Sequence, residues 1–269
     1  MPIRCAVLGK PIEHSLSPVM HRAAYSHLGL DWTYDAIEVA ESELEGFLAG
    51  CDDTWRGLSL TMPLKREVIG LADEVTKVAR ILNVANTLEF RDGRMIVSNT
   101  DCTGALAALA ERGVRKTKSA RIIGGGATAA SIAYALASKG LEHLEFVVRN
   151  PDRADEAVSV ARDAGVDVVV RQMDKALIDV VDLLVSTVPG EAIRQEAHNL
   201  VDSARAVFDV VYDPWPTPLA KATKQSGVPL VSGLDLLAHQ ASFQVELMTG
   251  SPVEADLLRQ AALAELATR

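Results

Sequence analysis

The sequence predicts an α/β protein of two units, the second a doubly wound sheet, and three observations carry that prediction. Apolar runs of strand length alternate with helix-spaced segments along most of the chain. A glycine-rich loop at residues 124–129 joins one such run to a helix, and a hairpin signal at residues 87–97 interrupts the first half. The 269 residues suffice for one large domain or two of ordinary size. With 48% hydrophobic and 23% charged residues, the chain has the composition of an ordinary folded protein rather than of a disordered chain or a disulfide scaffold.

Taken in order, Arg4 to Leu8 reads as a buried strand cut off at Gly9-Lys10-Pro11. Ser17-Pro18 then opens a helix, with Ser17 as N-cap and Pro18 as first helical residue, and Val19, Ala23, Ala24 and Leu28 recur at helical spacing up to Gly29. A strand at 33–39, a helix at 42–49 and a short strand near Leu58 follow. Thr87, Leu88 and Phe90 lead into Asp92-Gly93, and Met95 to Val97 lead out, which predicts a hairpin. A helix over 101–112 and a polar connection, Arg115 to Ser119, lead into the second unit, and the boundary is placed at or just before that helix. The second unit should hold strands at 120–123, 144–148, 167–170, 183–186, 206–210 and 229–231, with helices running from the glycine loop to Gly140 and over 152–164. Helices at 234–248 and 254–267 end the chain.

Charge and cysteine usage exclude several function classes. Lys plus Arg number 27 against 36 Asp plus Glu, a net charge of −9 that provides no footprint for nucleic acid or an anionic membrane. Cys5, Cys51 and Cys102 lack zinc-site spacing, and their odd number suits a reducing compartment. The apolar run at the N-terminus is too short for a signal-peptide core or a membrane span, so the cytoplasm is the expected location. His14, His21 and His239 are not at metal-ligand spacing, and no metal is expected.

Gly124-Gly125-Gly126-Ala127-Thr128-Ala129 matches G-x-G-x-x-A, a weak pattern made stronger by the strand before it and the helix after it. Gly124 would make the tight turn, Gly126 would let backbone N–H groups approach a pyrophosphate, and Ala129 would permit close helix packing. The other reading of the loop is a plain strand-to-helix turn. An NAD site wants an acidic residue at the end of the next strand, but Val148-Arg149-Asn150-Pro151-Asp152-Arg153 stands there. Arg149 and Arg153 suit a 2′-phosphate, so NADP is the expected cofactor; their alternative is two solvated charges at a helix start.

Three polar stretches mark the first unit: residues 14–18, 59–65 and 83–87, joined by Asn99-Thr100-Asp101. Each sits where a predicted strand ends or turns into a helix, the usual place for ligands in open α/β sheets. Nicotinamide chemistry on an alcohol needs a general acid/base, and Lys65 with Asp101 offers one. A surface lysine and a helix-capping aspartate are the alternative reading of the same two residues.

Together these motifs resemble the shikimate dehydrogenase family. The resemblance covers nearly the whole chain in order: Ser15-Leu16-Ser17-Pro18, Ser59 through Lys65, Asn86-Thr87, Asn99-Thr100-Asp101, the glycine loop, Ser186-Thr187-Val188-Pro189, Tyr212-Asp213-Pro214 and Gly233 through Gln240-Ala241. It implies an N-terminal substrate domain with a mixed sheet, residues 1–100 plus 233–269, and a Rossmann-like NADP-binding domain, residues 101–232, with a cleft between them. It also implies NADP-dependent reduction of 3-dehydroshikimate to shikimate, by a monomer or homodimer. On the same resemblance Ser15, Ser17 and Tyr212 hold the substrate carboxylate, Thr61, Asn86, Asp101 and Gln240 bind ring hydroxyls, and Lys65 is the acid/base. Ala127, Thr128, Thr187 and Gly233 join the cofactor-binding set.

Three positions depart from the family pattern: Ala127 replaces a second adjacent glycine, Val148-Arg149-Asn150 replaces an Asn-Arg-Thr triplet, and Leu236 replaces a methionine. Two other functions share much of this pattern, a quinate/shikimate dehydrogenase using NAD and a non-catalytic NADPH sensor. The paired arginines argue against the first, and the presence of both Lys65 and Asp101 argues against the second. Steady-state rates with shikimate and quinate, each with NADP and NAD, are expected to be highest for shikimate with NADP; dominant quinate turnover with NAD would overturn that expectation.

Overall fold

Residues 5–8 are apolar without alternation because both faces of their strand are covered. In β1 (Ile3–Gly9), Cys5, Ala6, Val7 and Leu8 are all buried, as expected of a strand inside a parallel arrangement. The computed structural model describes residues 2–173 and 179–269, and for Arg153 the backbone alone. Contacts divide the chain into unit 1, Met1–Gly104 with Leu237–Arg269, and unit 2, Ala105–Leu236.

In unit 1, β1 is followed by α1 (Ser17–His27), β2 (Trp32–Glu38), α2 (Leu44–Ala49), β3 (Trp55–Leu60), α3 (Leu64–Glu67), β4 (Glu74–Val75), α4 (Lys77–Leu82), β5 (Thr87–Arg91), β6 (Arg94–Ser98) and the start of α5 (Asp101–Glu111). The sheet order is β2-β1-β3-β5-β6-β4, parallel except where β5 runs against β3 and β6. Asp92 and Gly93 close the β5–β6 hairpin with φ of 52° and 70°, the two positive values that a type I′ turn demands. Leu8, Leu58, Leu60, Leu64, Leu88 and Val97 form the centre of the core on this sheet.

Unit 2 contains β7 (Ser119–Ile123), α6 (Ala127–Ala137), β8 (His143–Val148), α7 (Asp155–Asp163), β9 (Asp167–Gln172), β10 (Leu183–Ser186), α8 (Ala197–Asp202), β11 (Val207–Asp209), α9 (Pro218–Ser226) and β12 (Leu230–Ser232). Its six strands run β12-β11-β10-β7-β8-β9, all parallel, so the winding reverses between β7 and β10. The chain ends with α10 (Gly233–Thr249) and α11 (Ala255–Leu266), and α11 packs on α1 within unit 1. The unit boundaries fall inside α5 and α10, a helical turn beyond the start of each helix.

Several local expectations need correction. Leu16, not Ser17, is the N-cap of α1 and its own side chain caps nothing; Ser17 is already helical, and its N–H donates to Ser15 Oγ at 3.3 Å. The helix expected at 42–49 splits into a 3₁₀ turn at Glu41–Glu43 and α2. Helices α3, α4, α8 and α9 and strand β4 are additional to the expected elements. α9 is nonetheless signalled, since Thr217 caps it by accepting from the Ala220 N–H and Gly227 ends it in the left-handed region.

His21, the middle of the three histidines, is a core residue. It is fully buried on α1, stacked on Tyr34 with ring centroids 4.0 Å apart, and burial pushes its imidazole from 6.5 down to about 3. Between those values the unfolded chain binds the proton and the folded one does not, so this histidine's contribution is complete above pH 6.5 and is lost as pH falls toward 3. The stability of the parent should therefore drop by up to roughly 1.4 kcal/mol per pH unit more steeply than that of His21→Gln below about pH 6. Urea melts of both proteins at pH 7, 6, 5 and 4 check this, and parallel slopes would refute it.

Candidate active site

The antiparallel course of β5 builds the site. Thr87, its first residue, pairs with Ser59 near the end of β3 and with Ser98 at the end of β6, while Leu60 pairs with Leu8 of β1. The segments after β1, β3 and β6 and the one before β5 therefore meet at one sheet edge. Asn86 is thus at the start of an antiparallel strand, not at the carboxyl end of a parallel one.

Lys65, on the short helix α3, donates from Nζ to Asp101 Oδ2 at 2.6 Å, and both side chains are largely withdrawn from solvent. Asn86 Nδ2 donates to the other oxygen, Asp101 Oδ1, at 2.9 Å. Helix capping, the alternative role for Asp101, falls to a different residue: Asn99 Oδ1 accepts the Cys102 N–H at 3.2 Å. With the Cys102 N–H met by Asn99, the Asp101 carboxylate bonds to Lys65 and Asn86.

Asn86 is 2% exposed and lies at the centre of the cluster. Its Nδ2 also lies 2.9 Å from Thr100 Oγ1 and 3.1 Å from Gln240 Oε1. Its Oδ1 accepts the Thr100 N–H at 2.8 Å and the Thr87 hydroxyl at 3.0 Å. Gln240 reaches Asn86 from α10 because α10 crosses α5 at Gly104, where an added Cβ would lie 2.8 Å from the Gln240 backbone nitrogen.

The remaining expected substrate residues divide by unit. Ser15 and Ser17 stand after β1 and at the start of α1, and Thr61 stands after β3 with its N–H donating to Leu8 O at 2.9 Å, all in unit 1. Tyr212 belongs to unit 2, half-buried on the segment after β11.

In unit 2 the glycine loop joins β7 to α6 beside the point where the winding reverses. Gly124 has φ +109°, and a Cβ there would meet Thr187 Oγ1 at 2.3 Å, so glycine is required for the loop after β10 to lie against this turn. Thr187 is held by two bonds to Ile123 O, from its N–H and its hydroxyl, both 2.9 Å. Gly126 caps α6 in extended backbone, faces open space, and has neither a side-chain cap nor an acidic residue in the following turn. Ala127 and Thr128 open that helix and Ala129 is fully buried against the sheet, so the N–H groups of the first turn face an opening suited to an anion. Arg149 directly follows β8, is exposed, and has no carboxylate partner among the described residues. The Arg153 side chain lies outside the described residues. Gly233 starts α10, where a Cβ would strike the Val210 carbonyl at 2.2 Å.

Among the described residues no group of His, Cys, Asp and Glu is placed to hold a metal ion, and no helix is long and apolar enough to cross a membrane. Sequence reasoning passed over Thr100 as a hydrogen-bonding partner of Asn86 and Gln240, although it lies in a motif singled out above.

Comparison with known proteins matches both units. The family described as "Shikimate dehydrogenase substrate binding domain" matches residues 7–88. A shikimate dehydrogenase (NADP(+)) of Methanopyrus kandleri is 35% identical, covering 97% of this chain and 94% of that protein. The crystal structure of Mycobacterium tuberculosis shikimate dehydrogenase superposes with a TM-score of 0.89 at 38% identity, covering 98% of this chain and 100% of that one. The Thermus thermophilus shikimate 5-dehydrogenase, solved in complex with NADP(H) and shikimate, superposes with a TM-score of 0.86 at 32% identity, over 97% and 99% of the two chains.

Gly104→Ala tests the close crossing of α5 and α10. On an ordinary helix surface this change stabilises by up to about 1 kcal/mol, but here the added methyl must push the Gln240 backbone away, and a loss of roughly 1–3 kcal/mol is expected. A guanidinium melt decides by sign alone: a midpoint that rises would mean the helices are not in tight contact.

Proposed function

The chain belongs to the shikimate dehydrogenase family, and from that premise we propose that it catalyses the reversible, NADP-dependent reduction of 3-dehydroshikimate to shikimate. The observation that carries the proposal is the Lys65 Nζ to Asp101 Oδ2 contact of 2.6 Å, with Asn86 on the second carboxylate oxygen. It supplies a proton donor whose orientation is set by an anion that is itself held from the other side.

The glycine turn, the open start of α6 and the exposed Arg149 fit a dinucleotide with a 2′-phosphate: backbone N–H groups for the pyrophosphate and a guanidinium for the extra phosphate. NADP, when bound, supplies the hydride carrier. The chain's own residues manage the proton and the orientation of the ring. In the reducing direction the Lys65 ammonium gives its proton to the carbonyl oxygen as that oxygen gains negative charge, and in the oxidising direction Nζ takes the hydroxyl proton back. Asp101 keeps Nζ in place.

Asn86 Nδ2 has two hydrogens and three acceptors within reach, Thr100 Oγ1, Asp101 Oδ1 and Gln240 Oε1. The three acceptors share these two hydrogens and a long 3.5 Å contact from the Thr100 hydroxyl, which leaves acceptor capacity for a ring hydroxyl. Such a site favours a polyol ring, because a substrate lacking the hydroxyl leaves a buried acceptor unmet. Ser15 and Ser17, at the turn into α1, offer hydroxyl donors for the ring carboxylate, and Thr61 adds one more for the ring.

Lys65→Ala should lower kcat for shikimate oxidation by roughly 10²- to 10⁴-fold, the range general acid–base catalysis contributes, with a smaller change in the shikimate KM. Initial rates of NADPH formation measure it. Turnover near the parent rate would remove Lys65 from the proton-transfer role, and a parent that binds NADPH but never turns over would refute the enzymatic reading.

A further inference from the structure

Beneath Asn86 lies a second buried polar layer, which meets the residues assigned above to substrate contact at Asn86 and, through Tyr34, at Ser17. At its centre is Gln244, one helical turn after Gln240 on α10 and 1% exposed. Its Nε2 donates to Asn86 O at 2.9 Å and to Thr87 Oγ1 at 3.0 Å. Its Oε1 accepts the Ser59 hydroxyl at 2.9 Å and lies 3.4 Å from His21 Nε2. Ser59 in turn accepts the Tyr34 hydroxyl at 2.6 Å, and Tyr25 OH lies 3.4 Å from His21 Nδ1.

Every orientation in this layer follows from one fact. A backbone carbonyl only accepts, so the Gln244 amide must present its nitrogen to Asn86 and its oxygen to Ser59 and His21. His21 then carries its hydrogen on Nε2 and accepts from Tyr25 on Nδ1. Thr87, accepting from Gln244, is left to donate, and the group it donates to is Asn86 Oδ1 at 3.0 Å. The same glutamine thus fixes Asn86 twice, through its backbone oxygen directly and through its side-chain oxygen by way of Thr87. The Thr87 hydroxyl and the Thr100 N–H together hold the Asn86 amide with its nitrogen toward Asp101 and Gln240, while the bond to the backbone oxygen fixes where the Asn86 main chain sits; a flipped amide would set oxygen against the Asp101 carboxylate.

We propose that Gln244 is a positioning residue for the reaction: it anchors the Asn86 main chain and, through Thr87, one of the bonds that orient the Asn86 amide, and so it holds the placement of Asp101 and Gln240. The inference rests on the functional reading above. His21, Tyr25, Tyr34 and Ser59 hold Gln244 in turn, which gives the buried histidine of the Ser-Pro helix a role with no proton transfer and no metal.

Two near-isosteric variants test it, Gln244→Met, which removes both halves of the amide, and Thr87→Val, which removes only the relay hydroxyl. In each, kcat/KM for shikimate should fall on the order of 10- to 100-fold, more for Gln244→Met, because reacting groups displaced by fractions of an ångström lose that much. The KM for shikimate rises and the KM for NADP stays at the parent value. A purely structural defect lowers the folded fraction and with it kcat, and leaves both KM values unchanged. Variants that fold and keep the parent's shikimate KM and kcat overturn the inference; if Gln244→Met fails to fold, Thr87→Val decides alone. A parent without shikimate activity removes the functional reading and this inference with it, whereas an active parent with unaltered variants removes only the inference.

Discussion

The hydrogen bonds of one buried amide, that of Asn86, organise the candidate active site of unit 1. A polar group that is 2% exposed must find partners inside the protein, since leaving one unmet costs about 1–3 kcal/mol. Asn86 finds them on the loop before α5, on α10 and on β5, so satisfying it requires three distant parts of the chain to arrive together. Its demand for partners and the catalytic geometry are one constraint. The antiparallel turn of β5 into an otherwise parallel neighbourhood is what delivers Asn86 to the edge where β1, β3 and β6 end.

Unit 2 meets a different demand by a different means. Its candidate cofactor site is built from backbone, with a left-handed glycine turn and an uncapped helix start beside the reversal of the sheet. The contrast follows from the ligands. A pyrophosphate is recognised well by N–H groups and a helix dipole, whereas a small ring with several hydroxyls needs individual side chains each aimed at one oxygen. In the proposed reading an acidic protein with a net charge of −9 serves both, because Lys65 and Arg149 would place positive charge locally beside the two anionic ligands.

Legibility from sequence tracked how local each signal was. The β5–β6 hairpin was plain because Asp92-Gly93 encodes its turn in two residues, and β1 because a short apolar run ending at Gly9-Lys10-Pro11 has few other uses. α3 was missed because four residues after a proline carry no period, and α2 lost its first turn to a 3₁₀ segment for the same lack of length. Ser17 misled: Ser-Pro is a strong start signal, yet the Ser17 hydroxyl caps nothing and the helix begins one residue sooner. α9 had a Thr-Pro start and a Gly stop, and its signal went unread.

The same rule separates the two layers of the site. Sequence by itself determined the α/β class, the hairpin, the glycine turn and, through ordered motifs, the family resemblance and the choice of Lys65, Asp101, Asn86 and Gln240, because each is carried by residue types at short spacing. Only the tertiary structure decided that Asn99 relieves Asp101 of capping, that Gly104 admits Gln240, and that Gln244 and His21 brace Asn86 from beneath. Those partners are far apart along the chain in several cases, as with Asn86 and Gln244, and a glutamine inside a helix looks the same in sequence whether it faces water or a buried carbonyl. Burial turns it into a constraint, and burial is a property of the folded chain alone.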